Sequence, residues 1–391
     1  MYQKLIQKIW PVALLFLILV WLKMWLITLL LTIVSLLLIH KKRYKSVVNF
    51  YNQRNHLLKQ LIEWSLIVLF SILVVIFIKT YVFDIFRLPS NSMANTIRNG
   101  DLVFINKLIG GPRLNPNNIK TYSRAKGFSK YKINDLIVFN FPEGDTLLMD
   151  DPQQSYYALK RRYHELINNT KNNIWSNKKF KKVNRRPKYI KRLVALPGDT
   201  FEIINGNIFV NHHEIEQPQE MILRYIAECP NPDSVLKAEN INPYNQYYIK
   251  KDQIFELETG QVEDNDNLKN SFSPFTLKKN LPDPNIFPYV NYWNSDYMGP
   301  IIVPKKGISV HLTTENIVLY NRIIDIYEEN DLSIKNDLIY INGKQTNNYT
   351  FKMDYYWVMG DNRPHSYDSR YWGFLPENHI IGVSKLHFHM N

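Results

Sequence analysis

Leu88-Pro89-Ser90-Asn91-Ser92-Met93 stands where the sequence changes from membrane-like to strand-like, directly after an apolar run long enough to cross a bilayer. It sets two serines one residue apart, behind a proline that fixes the backbone. A serine hydroxyl is a weak nucleophile alone, so a base has to come from elsewhere in the chain. Tyr189-Ile190-Lys191-Arg192-Leu193 offers one, a lysine inside an apolar, strand-like segment. A third polar block, Met359-Gly360-Asp361-Asn362-Arg363, continues through Ser366-Tyr367-Asp368-Ser369-Arg370. The three blocks lie far apart in sequence and are expected to converge on one site.

Upstream, Trp10 to Ile39 is almost wholly apolar, interrupted by Lys23. This exceeds the ~20 residues that a helix needs to span the hydrocarbon core. It is too long for the apolar part of a cleavable signal, and no Ala-x-Ala site follows, so it is read as a permanent anchor. His40 to Glu63 is polar and basic, with Lys41, Lys42, Arg43, Lys45, Arg54 and Lys59. Ser65 to Phe83 is apolar again. Two spans flanking a basic loop put that loop in the cytoplasm and everything after Phe83 outside.

Downstream, the pattern is mainly β. Leu102 to Asn106 and Leu136 to Phe141 are short β-branched and aromatic runs. Phe201 to Ile204 and Ile208 to Val210 flank Asn205-Gly206, a hairpin signal, and Ile339 to Ile341 before Asn342-Gly343 has the same form. Ile380 to Phe388 reads as a last strand. Tyr156 to Asn168 is the one candidate amphipathic helix of any length. Lys178 to Arg186 is strongly basic, either a solvated loop or a contact for anionic headgroups.

The chain has 391 residues, enough for two or three domains, and a formal net charge of +13. That charge suits an anionic membrane surface or a nucleic acid, and a high Lys and Asn content produces it without either. The single cysteine, Cys229, excludes an internal disulfide, so the soluble part is held by its core alone.

The blocks resemble those of bacterial type I signal peptidases, or leader peptidases, the membrane-bound Ser/Lys proteases of S26 type. The resemblance runs through Pro89 to Met93, Gly100 to Val103, Asp135 to Phe139, Tyr189 to Asp199 and Met359 to Pro376. It implies a mainly β fold. Two N-terminal transmembrane helices are followed by an extracytoplasmic antiparallel β catalytic domain carrying a large inserted β accessory domain. The expected divisions are a first span in 1–40, a cytoplasmic loop in 41–64 and a second span in 65–84. Catalytic parts in 85–199 and 351–391 then enclose an insert in 200–350. The implied location is the inner membrane, multi-pass, with the catalytic domain on the periplasmic side. The implied partners are preprotein signal peptides, the lipid bilayer and the protein-export channel, with no nucleic acid, cofactor or metal.

By the same resemblance, Ser92 is the nucleophile and Lys191 the general base. A free lysine titrates near about 10.4, and desolvation is what lowers it. Ile190, Leu193 and Val194 are apolar, no acid lies within several residues, and alternation puts Leu193 on the face of Lys191. Taken without the other blocks, Lys191 reads as a lysine on a solvated strand. The Ser90 hydroxyl and the Ser92 N–H match the family's oxyanion hole. In a strand, Ser90 and Ser92 would point the same way; the other reading of Ser90 is a turn-capping hydroxyl, since Pro-Ser-Asn is turn-like. Ser366 matches the serine that orients the lysine, and Asp368 and Arg370 match a supporting ion pair, with Tyr189 beside them. Phe86, Leu88, Met93, Ile97 and Ile190 match apolar pocket residues that select small side chains at alternate positions of an extended substrate; their other reading is plain core.

The sequence departs from the family in three places. Asn95 stands where proline is usual, Asn91 where glycine is common, and Pro364-His365 replaces a polar pair. Asn91 tolerates a positive φ if its position requires one. A Ser/His/Asp hydrolase is disfavoured because no Gly-x-Ser-x-Gly elbow is present. A metalloprotease is disfavoured because His164-Glu165 has no second histidine in register, and His387 with His389 is a bare pair. The rival from another class is an inactive signal-peptide-binding relative or a membrane-surface binding module.

Overall fold

The computed structural model describes residues 55–148, 155–162, 178–289 and 293–388. The first expected span, and the basic loop up to residue 54, lie outside the described residues. The chain forms two units, the first made of the described residues up to Asp84 together with Asn106–Leu114 and Ser123–Lys130, the second of the other described residues.

The first unit is dominated by helix α1, His56–Tyr81. It begins ahead of Ser65, so its first turns belong to the stretch read as loop. Leu, Ile, Val and Phe fill it, with no proline or glycine to break it. Ser71 returns its hydroxyl to the Ile67 carbonyl at 2.8 Å, which satisfies that hydroxyl within the helix itself. Lys79 in the last turn complements the helix dipole. Its 26 residues make about 39 Å at 1.5 Å per residue, more than the hydrocarbon core. Leu61, Trp64, Ile67, Leu69, Phe70, Leu73 and Ile76 are all exposed, an apolar surface around the whole helix. Among the described residues it is the one helix long and apolar enough to cross a membrane. The same unit contains a short antiparallel pair, Arg113–Leu114 with Ser123–Arg124.

The second unit is built on a seven-stranded sheet. Its strands are β1 (Phe83–Arg87, which straddles the boundary), β2 (Leu102–Asn106), β3 (Leu136–Asn140), β4 (Lys188–Ala195), β5 (Tyr355–Met359), β6 (Leu375–Pro376) and β7 (Ile380–Phe388). Their order is β1-β2-β7-β3-β4-β5-β6. β4 is an interior strand, antiparallel to β3 with Ile137 opposite Lys191, and to β5 with Met359 opposite Arg192. Lys191 therefore sits on an interior strand, one residue before the stretch that pairs with β5.

The stretch between β4 and β5 adds smaller antiparallel sheets. One has the order His213–Glu214, Asn207–Val210, Thr200–Ile204, Met298–Ile302; another runs Asn245–Ile249, Asp252–Glu258, Ile222–Ala227, Phe272–Pro274. Both expected hairpins form. Asn205 and Gly206 lie at φ 53° and 81°, and Asn342 and Gly343 at 53° and 76°, the two left-handed residues that a two-residue hairpin turn demands. Tyr156 starts a helix that is described to Arg162; the rest of the expected helix lies outside the described residues. Lys178–Phe180 pairs with Thr146–Leu148, and Arg186 donates to the Pro142 carbonyl at 2.9 Å. The basic stretch is thus partly strand, and its last arginine is a packed structural residue.

The largest core joins the sheet to the stretch between β4 and β5. Val194, Ala195, Tyr355, Trp357 and Met359 pack with Phe201, Ile301, Ile324, Phe351 and Phe287. A second core lies under the nucleophile segment, made by Leu88, Met93, Ile97, Val103, Ile105, Val138, Ile190 and Ile381.

Candidate active site

Pro89 ends the extended run from β1, and the chain then turns rather than continuing as a strand. Ala94 N–H donates to Asn91 O at 3.0 Å and Ile97 N–H to Met93 O at 2.7 Å, closing two successive turns around Ser92. The expectation that Ser90 and Ser92 share a strand face is corrected: they lie at the entry of a turn. Their hydroxyls are nevertheless 3.3 Å apart. The turn is held by Met93 and Ile97, both fully buried beside Ile190. The left-handed residue in it is Asn95, at φ 73°, not Asn91. Proline, with φ fixed near −65°, cannot adopt that conformation.

Lys191 is 2% exposed, and its Nζ contacts the Ser92 hydroxyl. A second contact, from Nζ to the Ile190 carbonyl at 3.1 Å, fixes the amine's direction. Burial lowers the Lys191 pKa to about 8, against the raising effect of Asp368 and Asp361. The strand sequence shows no acid near the lysine, but the fold brings these two carboxylates into its field. Desolvation still wins, by about 3 kcal/mol for a shift of this size. Tyr189, two residues earlier on the same strand, lies under the amine with its ring centroid 5.7 Å from Nζ. Its own ring stacks on Phe141 at 4.6 Å.

Gly360 to Arg370 forms the opposite wall. Asp368 is fully buried and takes both Nε and Nη2 of Arg370 at 2.9 Å, plus the Gly360 N–H at 3.0 Å. Burial opposes charge on Asp368, but Arg370 and these hydrogen bonds outweigh it and hold the carboxyl below its ordinary range. Arg370 passes the link on to the Arg363 carbonyl at 2.9 Å. The Ser366 hydroxyl is buried beside Gly360 without a hydrogen bond of good geometry, though near enough to Asp368 to help keep that carboxylate charged. Asn362 N–H donates to the Ser92 carbonyl at 3.2 Å, and its side chain to the Asn91 carbonyl at 3.2 Å. The loop is therefore seated directly on the nucleophile's backbone.

The block Met359 to Arg363 holds one more residue that bears on the site, Asp361. It is fully buried and binds Arg192 through two hydrogen bonds, 2.8 and 2.6 Å, and Thr96 at 2.6 Å. One side chain thus ties the nucleophile turn, the lysine strand and the last loop together. The available signal was weak: Arg192 alternates to the face opposite Lys191, and an unpaired Asp stood in another block. Of the expected pocket residues, Leu88, Met93, Ile97 and Ile190 lie within the core, and Phe86 packs at its edge. Among the described residues, no three His, Cys, Asp or Glu side chains are grouped so as to hold a metal ion.

A desolvated amine touching a serine hydroxyl, with a second hydroxyl beside it, is an arrangement that can support hydrolysis by a serine nucleophile with a lysine base. The family described as signal peptidase, peptidase S26, matches residues 61–288 and 335–389, and the chain belongs to it. It is 26% identical over 316 residues to the signal peptidase I of Buchnera aphidicola subsp. Baizongia pistaciae, covering 80% of this chain and 72% of that one. It is 24% identical to that of Haemophilus influenzae, covering 80% and 66%. To that of Aquifex aeolicus it is 22% identical, covering 83% and 81%.

Proposed function

We propose that the chain removes signal peptides from preproteins with Ser92 as nucleophile and Lys191 as general base. The observation that carries this is the buried Lys191 amine in contact with the Ser92 hydroxyl. Neutral Lys191 takes the Ser92 proton as Oγ attacks the scissile carbonyl carbon. The tetrahedral oxyanion is held by the Ser92 N–H and the Ser90 hydroxyl. The Lys191 ammonium returns the proton to the departing amine, leaving an acyl-enzyme. Water, deprotonated by Lys191, then releases the signal peptide. By family resemblance Ser366 orients the amine, and the Asp368–Arg370 pair holds the Ser366 loop.

Family resemblance supplies the specificity: cleavage after small-x-small sequences, with the substrate extended along a sheet edge. β1, an outermost strand leading straight into Pro89, suits that mode. The proposed setting is the inner membrane, with two spans and the β domain on the periplasmic side, in contact with lipid and the export channel. Ser92 follows soon after Tyr81 in the chain, and Phe83 and Ile85 between them are exposed, which favours a site close to the bilayer.

The pH dependence tests the base. The catalytic form has Lys191 neutral, so kcat/KM rises with pH through about 8 and levels above it. The rate is measured on a substrate with a whole signal peptide. A limb near the imidazole value that vanishes on replacing one histidine would assign the base to that histidine instead.

Ser90→Ala is expected to lower kcat by roughly a hundredfold, the usual loss for one oxyanion donor, with KM nearly unchanged. Ser90→Thr keeps a hydroxyl and part of the rate. A rise in KM alone would make Ser90 a binding residue.

A further inference from the structure

The two loops that bear the reaction, Asn91 to Ile97 and Gly360 to Ser366, are both reached by one strand of the insert. Along Asp252–Glu258, Glu256 and Glu258 point the same way, two residues apart. Glu258 Oε2 accepts the Asn95 side-chain N–H at 2.8 Å, at the residue whose left-handed backbone shapes the nucleophile turn. Glu256, 1% exposed, meets His365 Nε2 at 2.8 Å, on the residue next to Ser366. The paired strand adds a backbone link, Ile222 N–H to the Asp361 carbonyl at 3.0 Å. Asn95 and His365 are two of the places where this sequence departs from its family's pattern, and both departures end on the same strand.

We infer that Glu256 and Glu258 are positioning residues, and that their strand brackets the nucleophile turn and the Ser366 loop at a fixed separation. This rests on the Ser92/Lys191 reading of the site. A carboxylate buried as deeply as Glu256 needs partners; the Tyr247 hydroxyl donates to it at 3.3 Å from the neighbouring strand, and His365 meets it from the loop to be held. An amide on Asn95 gives Glu258 a donor that proline could not. Displacement of reacting groups by an ångström is enough to slow chemistry strongly, so the bracket acts on kcat more than on substrate affinity.

The test uses the full chain in detergent with a preprotein substrate. Glu258→Leu and Asn95→Gly, the latter keeping the left-handed backbone, are each expected to lower kcat about tenfold while KM stays within about twofold. Glu258→Gln, whose amide oxygen still accepts, restores most of the rate. The double variant Asn95→Gly/Glu258→Leu is no slower than the slower single one, because both remove one contact. His365→Ala slows kcat from the other end of the bracket. Wild-type kcat in both Asn95→Gly and Glu258→Leu would overturn the inference, as would Glu258→Gln no better than Glu258→Leu. Ser92→Ala, run alongside, separates the two readings. If it still cuts, the site assignment fails; if it is dead while the bracket variants are fully active, only the bracket fails.

Discussion

Lys191→Arg is expected to abolish cleavage, although it keeps the charge, the length and the hydrogen-bonding capacity of the side chain. The proposed reaction needs an amine that sheds its proton, and burial lowers the Lys191 pKa to about 8. A guanidinium does not deprotonate in a protein, so no amount of burial turns it into a base. Lys191→Ala and Ser92→Ala remove the base and the nucleophile outright. Loss of one member of such a pair costs on the order of 10⁴-fold or more, and the pair acts as a unit, so removing both costs little beyond either alone. Preprotein cleavage in detergent, with thermal melting to confirm the fold, reads all of these variants. Substantial activity in any single one sinks the Ser/Lys assignment.

Gly360→Ala is expected to be nearly as damaging, though it adds one methyl and touches no reacting atom. A Cβ at this position would stand 2.2 Å from Ser366 Oγ, 2.6 Å from Ser366 Cβ and 2.6 Å from the Ser92 carbonyl oxygen. The Ser366 hydroxyl can rotate away, but the Ser366 Cβ and the Ser92 carbonyl cannot. The Ser92 carbonyl is bound by Asn362, and the Gly360 N–H by Asp368. The loop has to lift from the nucleophile turn, at a cost of about 1–3 kcal/mol in stability and on the order of 10²-fold or more in kcat. Gly307→Ala is the control, since nothing lies within 4 Å of its added methyl and only its positive φ is strained. Activity near wild type in Gly360→Ala would mean that the loop does not bear on Ser92 as described.

The parts of this molecule that were legible in sequence are those with local signals. Asn205-Gly206 and Asn342-Gly343 carry their turn geometry in two adjacent residues, and both hairpins form. The apolar run before Phe83 spells its own helix. Ser92 and Lys191 were found through block resemblance, because nothing in an isolated Tyr-Ile-Lys-Arg distinguishes a buried lysine from a solvated one. What was not legible depends on contacts between distant segments. Ser-x-Ser reads the same in a strand and in a turn, and the choice is made by Met93 and Ile97 finding the core beside Ile190. Asp361 finds Arg192 and Thr96 only after β5 has paired with β4. The partners of Asn95 and His365 sit inside a segment with no recognisable block, so their two departures read as isolated exceptions.

Trp357 closes the account of the insert. Its ring lies 4.9 Å from Phe201 and 6.0 Å from Phe287, yet it belongs to β5, the strand that leads into Gly360. A segment contributing those two rings cannot be excised as a module that melts by itself. Heating or nicking this segment is expected to strip the floor from under β5, so that the second unit loses its structure in one cooperative step. In this chain, the aromatic rings of the segment are part of the enzyme's own interior.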